Sequence, residues 1–235
     1  MDLGQTKLDY FEDMWKLESK STLLSHIKSN EGGGRQALVL ESTIFHPQGG
    51  GQPSDTGFII DRRSGLKFVV ADVRLKDGLV LEKKLMASLR EGVRLHSAGH
   101  LLDTCMRNVG LDHLEPGKGY HFPDGPFVEY KGTFPQDQLQ TKQKELEAEV
   151  NKLISIGGKV SASVLAYDEA AELCGGSLPE YISKSSKPRI VKLGNNPGCP
   201  CGGTHVANIS DIRALKVSQI RMKKGFTKIF YNIGS

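Results

Sequence analysis

Apolar positions along the chain fall into two regimes. From Leu17 to about Leu85 they come in short runs such as Ala37-Leu38-Val39-Leu40, Gly57-Phe58-Ile59-Ile60 and Lys67-Phe68-Val69-Val70. These are rich in β-branched and aromatic residues and bounded by Gly, Asp and Ser, the pattern of strands and turns. Asp61–Gly65 and Lys76–Gly78 read as hairpin turns in which glycine supplies the positive φ. The pattern predicts an N-terminal domain over residues 1–87 built as a small β-barrel. Near residue 88 the period lengthens: Leu89, Val93, Leu95, Ala98, Leu101, Leu102, Cys105, Met106 and Val109 form one helical stripe, with Gly110 as its stop.

The remaining chain mixes both periods. Phe127–Lys131 reads as a strand, and Pro135 opens a charged amphipathic helix through Leu139, Leu146, Val150, Leu153 and Ile154 that ends at Gly157-Gly158. Lys159–Ala166 alternates as a strand, Asp168 is placed to cap a short helix through Leu173, and Arg189–Leu193 is a further strand. Ile212–Ser218 and Gln219–Ile233, turning at Lys223-Lys224-Gly225, complete the set. Residues 88–235 are therefore expected to form an α+β domain with a mostly antiparallel sheet and two long helices.

Composition bounds the picture. The chain has 235 residues, 38% hydrophobic and 25% charged, which is the make-up of a folded globular protein. No apolar run approaches the roughly 20 residues a membrane helix needs, and the first residues, MDLGQTKLDYFEDM, do not resemble a signal peptide. A cytoplasmic protein is expected. Four cysteines are too few for a disulfide framework, so Cys105, Cys174, Cys199 and Cys201 are expected as thiols or metal ligands.

Charge is unevenly spread. Between Lys184 and Lys228, ten lysines and arginines stand against Asp211 alone, a net of +9 that leaves −5 for the rest of a chain whose total is +4. A basic end of this kind suits a polyanionic partner, or serves simply as a solvated face.

Two short clusters carry metal-binding chemistry. His96 and His100 are four apart on the predicted helix, so both imidazoles share one face. Cys201 and His205 lie in the glycine-rich run Cys199-Pro200-Cys201-Gly202-Gly203-Thr204-His205. Alone, each pair could be a surface feature; together they form a zinc-favouring donor set, with Cys199 as a rival thiolate. The long interval between the clusters places the ion between distant segments of a domain large enough to fold without it. A third feature, His46-Pro47-Gln48-Gly49-Gly50-Gly51-Gln52-Pro53, reads alone as a surface turn; no Gly-Lys-Ser/Thr follows, so it is not a P-loop.

Taken together, His-Ser-Ala-Gly-His at 96–100, Cys-Gly-Gly-Thr-His at 201–205, Gly-Gly-Gly-Gln-Pro at 49–53 and the run from Lys118 to Tyr130 resemble the AlaX family of free-standing alanyl-tRNA editing proteins. These are related to the editing domains of alanyl- and threonyl-tRNA synthetases. The resemblance spans roughly Lys7 to Tyr231. It implies a cytoplasmic, zinc-dependent aminoacyl-tRNA hydrolase that acts in trans on Ser-tRNA(Ala), with Gly-tRNA(Ala) as a further substrate, and needs no organic cofactor or nucleotide. The implied metal ligands are His96, His100, Cys201 and His205, with His96 and His100 as the catalytic pair. Gly49, Gly50, Gly51 and Gln52 would border the acceptor end, while Thr43, His113, Tyr120 and His121 are candidates for reading the serine hydroxyl. Lys187, Arg189, Lys192, Arg221, Lys223 and Lys224 would meet the tRNA backbone. Two alternatives stay open: a tRNA-binding module with a structural zinc, and an editing hydrolase for Ser-tRNA(Thr).

Overall fold

Alternating apolar residues in the first third of the chain do form strands, but those strands do not close on one another. The computed structural model describes residues 5–28, 36–61, 67–76, 79–83 and 89–234. The chain divides into two compact units, Met1–Gly92 and Val93–Ser235. In the first, β1 (Lys7–Leu8), β2 (Leu23–Lys28), β3 (Gln36–Leu40), β4 (Ser42–Thr43), β5 (Gly57–Ile60), β6 (Lys67–Val70), β7 (Asp72–Lys76) and β8 (Leu79–Lys83) make three separate sheets. Strands β2, β3, β8 and β7 form an antiparallel sheet in that order, β5 pairs with β6, and the two-residue β1 pairs in parallel with β4.

The predicted barrel is thus corrected: among the described residues these are small open sheets. Closure requires an unbroken ladder with matched strand tilt and register, whereas here the outer strands are only two to six residues long and, among the described residues, the three sheets are not joined into one ladder. The alternation is real nonetheless. Val70 and Val73 are fully buried with Leu8, Phe45, Ile59 and Phe68 packed on them, while Phe58 and Ile60 on the other face of β5 remain exposed. The two turns predicted at Asp61–Gly65 and Lys76–Gly78 lie largely outside the described residues.

The glycine run is a hairpin turn. Gly49 and Gln52 exchange backbone hydrogen bonds of 3.2 and 2.9 Å, and Gly50 and Gly51 between them have φ of 56° and 80°. Positive φ at both central positions is the type I′ arrangement that glycine tolerates and side chains resist. Beyond it, Asp55 accepts the His46 N–H at 2.9 Å.

In the second unit the helical stripe is α1 (Leu89–Asn108), which ends where Gly110 takes φ 73°. There follow β9 (Glu115–Tyr120), β10 (Phe127–Lys131), a 3-10 turn at Gln136–Gln138, α2 (Leu139–Ile156), β11 (Val160–Val164), α3 (Tyr167–Leu173), β12 (Arg189–Leu193), β13 (Cys199–Pro200), β14 (Leu215–Lys223) and β15 (Phe226–Ile233). Two antiparallel sheets result, one ordered β14-β15-β10-β9 and one β11-β12-β13. The two long helices and the mostly antiparallel pairing agree with the sequence reading. Asp168 lies in the first turn of α3, whose N-cap is Ala166, and Ile212 closes a 3-10 turn instead of opening a strand. The final hairpin turns at Lys224 and Gly225, both with positive φ.

Leu95, Ala98, Leu101, Leu102, Cys105 and Met106 of α1, Leu146, Val150 and Ile154 of α2, and Val217, Ile220, Ile229 and Tyr231 of the sheet are buried. Strand β14 lies at the sheet edge, where unpaired backbone groups are a liability. Helix α2 satisfies those at the start of the strand: Glu147 accepts the Val217 N–H at 2.9 Å, Gln143 donates to the Val217 carbonyl at 2.8 Å, and Asn151 bonds both the N–H and the carbonyl of Leu215. Polar residues of α2 thereby fix the helix register on the sheet while its apolar residues fill the core.

Burial pushes the Asp55 carboxyl up to about 6, from 3.8, and the His46 N–H only partly offsets that. The folded state therefore holds a proton that the unfolded chain releases between about pH 4 and 6, so the stability this neutral carboxyl supplies is complete below the unfolded value and lost as pH rises through 6. Asp55→Asn keeps an acceptor for His46. It is expected to raise unfolding stability at pH 8 by about 1–3 kcal/mol and to change it little at pH 4. Denaturant titrations at both pH values, followed through the single tryptophan, Trp15, check this.

Candidate metal centre

Helix α1 carries His96 and His100 toward the loop that follows β13, and the donor atoms of His96, His100, Cys201 and His205 all lie within 4.8 Å of one another. Three contacts define the cluster: His96 Nε2 to His100 Nε2 at 3.2 Å, His96 Nε2 to Cys201 Sγ at 3.5 Å, and His205 Nε2 to Cys201 Sγ at 3.4 Å. With metal–nitrogen bonds near 2.0–2.1 Å and a metal–sulfur bond near 2.3 Å, the edges of a tetrahedron measure about 3.3 Å between nitrogens and about 3.6 Å between nitrogen and sulfur. Three of the six donor pairs stand at those edges while the whole set spans up to 4.8 Å, and three imidazoles with one thiolate suit a borderline-soft metal.

The far side of each ring is held by the chain, as metal-binding histidines generally require. His96 Nδ1 lies 3.3 Å from the Thr204 carbonyl, which makes Nδ1 the protonated nitrogen and leaves Nε2 to the cluster. Ser97 Oγ stands 3.4 Å from His205 Nδ1, donates to the Val93 carbonyl at 2.8 Å and accepts the Val206 N–H at 3.0 Å. His100 Nδ1 lies 3.6 Å from the Asp103 carboxylate and 3.4 Å from Cys199 Sγ. Asp103 in turn accepts the Tyr130 hydroxyl. Cys199, the rival thiolate, thus sits behind His100, not among the converging donors.

Electrostatics favour a thiolate at Cys201. Burial by itself would raise that thiol, yet His96, His100 and His205 around it hold it well below the ordinary range. Burial would lower His100, but the Cys199 and Cys201 sulfurs push it well above the usual imidazole value. His205, deeply buried and facing His96, falls to about 3. Cys105 is a core thiol pushed up to about 12 by burial.

His121 joins the cluster. Its ring centroid lies 4.9 Å from that of His96, and it is only 4% exposed. Nδ1 is 2.6 Å from the Tyr231 hydroxyl, which itself donates to the Leu95 carbonyl at 2.9 Å. Tyr231 must therefore accept from His121 Nδ1–H, which fixes the tautomer with a bare Nε2. Burial and the neighbouring imidazoles lower His121 to about 2, so the ring is neutral. Space for it comes from two glycines: a Cβ on Gly99 would meet its Cε1 at 2.3 Å, and one on Gly119 its Nε2 at 2.3 Å.

The other expected residues scatter. Thr43 and Gly49–Gln52 belong to the first unit, where Thr43 and Gln52 are 1% exposed and Thr43 Oγ1 accepts the Phe45 N–H. Tyr120 stacks on Phe122 and bonds Asp124. Lys187, Arg221, Lys223 and Lys224 are exposed and Lys192 is partly buried. Arg189 is corrected: it is 7% exposed, and its Nη1 donates to the Cys201 and Gly203 carbonyls at 2.8 and 2.9 Å, so it pins the cysteine loop from beneath. Sequence reasoning gave no role to Ser97, Asp103, Tyr130 and Tyr231. Only Ser97, inside the His-Ser-Ala-Gly-His run, and Tyr130, at the end of the Lys118–Tyr130 run, lay within segments the sequence had singled out.

Residues 189–227 match the protein family described as threonyl and alanyl tRNA synthetase second additional domain, a stretch that contains Cys201 and His205. An alanine–tRNA ligase of Halorhodospira halophila is 29% identical over 241 residues, covering 92% of this chain and 27% of the ligase. The alanyl-tRNA editing protein AlaX-L of Pyrococcus horikoshii is 28% identical over 244 residues, covering 96% of this chain and 57% of that protein. The chain is a homologue of the alanyl-tRNA editing proteins and the alanine–tRNA ligases. It spans about a quarter of the length of the ligases it matches, such as that of Caldivirga maquilingensis at 27%, and just over half of AlaX-L. The resemblance read from the three motifs therefore holds across nearly the whole chain. Among the described residues, no helix of this homologue is long and apolar enough to cross a membrane.

If Cys201 is the sulfur donor and Cys199 its neighbour, Cys201→Ser is expected to abolish stoichiometric divalent-metal binding while Cys199→Ser retains about one equivalent. Elemental analysis of the two purified variants checks this; equal retention by both would reject the assignment.

Proposed function

We propose that the protein is a zinc-dependent hydrolase that removes serine from mischarged Ser-tRNA(Ala), with Gly-tRNA(Ala) as a further substrate. The observation that carries this reading is the convergence of His96, His100, Cys201 and His205 in a chain homologous to alanyl-tRNA editing proteins. The bond to be broken is the ester between the amino acid and the terminal adenosine. Such esters are already activated, so positioning and charge stabilisation suffice without a covalent nucleophile. Zinc bound at the four donors would supply a Lewis acid beside the ester carbonyl.

The chain's own residues supply selectivity. A pocket that fits alanine cannot strongly reject serine, but a second pocket that hydrogen-bonds the hydroxyl can reject alanine. His121 suits that role, because its Nδ1–H is committed to Tyr231 and its bare Nε2 can only accept. The serine hydroxyl would donate to it, whereas alanine would leave it unpaired at a cost of about 1–3 kcal/mol or more. In the loop of the first unit, Gly49 and Gln52 commit backbone groups to each other, so Gly50 and Gly51 are its candidates for the acceptor end. Lys187, Lys192, Arg221, Lys223 and Lys224 are proposed to meet the tRNA backbone, and Arg189 is withdrawn from that role.

A second reading is favoured by the donor count, since four protein ligands are the make-up of a structural site. His100, less buried than His96 and His205, is the donor proposed to yield to substrate. His100→Ala separates the readings: a reaction centre loses turnover with the fold retained, and a structural site loses the fold.

The zinc-loaded protein is expected to deacylate Ser-tRNA(Ala) at least about a hundredfold faster than Ala-tRNA(Ala), and faster than Ser-tRNA(Thr). Gly99→Ala, which displaces His121 without touching a ligand, is expected to keep the zinc and lose about tenfold or more in turnover. A metal-loaded protein inert on every serylated tRNA would contradict the proposal.

A further inference from the structure

Away from the metal centre, the outer face of the four-stranded sheet carries a row of aromatic rings. Strands β10 and β15 are central and place Phe127 directly opposite Phe230, with ring centroids 5.4 Å apart. On the next strand Tyr120 lies opposite Phe127, stacked at 5.6 Å and 18°, and Phe122 stacks on Tyr120 at 4.7 Å and 25°. Alternation turns Val128, Tyr130, Ile229 and Tyr231 into the core, so these four rings are on the other face and each keeps part of its surface in solvent.

Cations lie over two of the rings. Lys228 Nζ sits 4.1 Å from the Phe127 ring centroid, and the Arg221 guanidinium lies 5.6 Å from that of Phe230. Lys118 and Lys228 pair with Glu129 at 3.7 and 3.3 Å, and Asp124 accepts the Tyr120 hydroxyl. Exposed Lys216, Lys223 and Lys224 extend the positive field beyond these two carboxylates. Packing of the sheet onto its helices uses the opposite face and does not require these rings.

We propose that this face is a stacking platform for unpaired nucleotides of an RNA. Aromatic rings side by side on the central strands of a four-stranded antiparallel sheet are a recurring way to stack splayed bases, and each ring accepts any base because every base has a π-face. Bordering lysine and arginine hold the phosphates and add cation–π contact. Charge selects RNA over an apolar protein partner, since Arg221 and Lys228 lie against the rings and Lys118, Lys216, Lys223 and Lys224 on the same strands and their final turn outnumber Asp124 and Glu129. A paired helix would call for the cations alone. The inference rests on the reading of the protein as acting on tRNA, and it assigns Tyr120 to a base, not to the serine hydroxyl.

The test uses the full chain, a short unstructured RNA ending in CCA and a blunt RNA hairpin whose two strands are joined by a non-nucleotide linker, both fluorescently labelled. Phe127→Leu with Phe230→Leu keeps apolar volume and removes the rings. This variant is expected to weaken single-strand binding about 5- to 100-fold, to leave the salt slope unchanged, and to leave hairpin binding within about twofold. Tyr120→Leu is the independent second variant, and circular dichroism with metal content verifies that each is folded. Arg221→Ala should instead lower the salt slope by about one. Unchanged single-strand affinity in the folded variants, an equal loss on the hairpin, or no binding by the parent protein would overturn the platform. Deacylation of Ser-tRNA(Ala) at saturating protein is read in the same preparations. Stacking intact without hydrolysis defeats the hydrolase reading alone, and hydrolysis with ring-independent binding defeats the platform alone.

Discussion

The junction between helix α1 and the cysteine loop is the constraint on which the rest of the site depends. Ser97 ties Val206 to the helix, His96 reaches the Thr204 carbonyl, and Arg189 holds the Cys201 and Gly203 carbonyls from below. Of these side chains only His96 also belongs to the donor set, and together they bring two segments roughly a hundred residues apart within bonding range of a single point. Their burial makes each hydrogen bond costly to lose and the geometry correspondingly rigid. The chain supplies the frame, which distinguishes this centre from small modules that fold only when metal arrives.

Polar side chains with structural jobs recur through the second unit. Asn151, Gln143 and Glu147 cover the edge of β14, and Asp103 links Tyr130 to His100. Tyr231 connects the sheet to α1 at Leu95 while fixing the tautomer of His121. The same strand, β15, thus turns Tyr231 inward to orient the site and Phe230 outward to the basic face. Period-two alternation lets one strand serve both surfaces.

Much of this was legible in the chain. The stripe from Leu89 and the spacing of His96 and His100 announced a helix with two imidazoles on one side, and the Cys201/His205 pair completed the donor set. What local pattern could not convey was closure and context. Alternating residues mark strands but not whether a ladder joins end to end, so in place of the expected barrel the described residues form small open sheets. Arg189 counted as surface charge because a linear count does not record that its strand, β12, is buried along nearly its whole length. His121 was one weak candidate among several until Tyr231, 110 residues away, fixed its tautomer and Gly99 and Gly119 made room for its ring. Asp168 and Ile212 show the usual imprecision of element ends, where caps and 3-10 turns are decided by tertiary packing.

Helix α1 and the cysteine loop are proposed to present three imidazoles and one thiolate to a single zinc ion. X-ray absorption fine structure of the zinc-loaded protein measures this directly. About three nitrogen neighbours near 2.0–2.1 Å and one sulfur near 2.3 Å are expected, with multiple scattering from imidazole rings. Two sulfurs in the shell would put Cys199 beside Cys201 as a ligand, and a shell of oxygens would place the ion elsewhere; either result contradicts binding by His96, His100, Cys201 and His205.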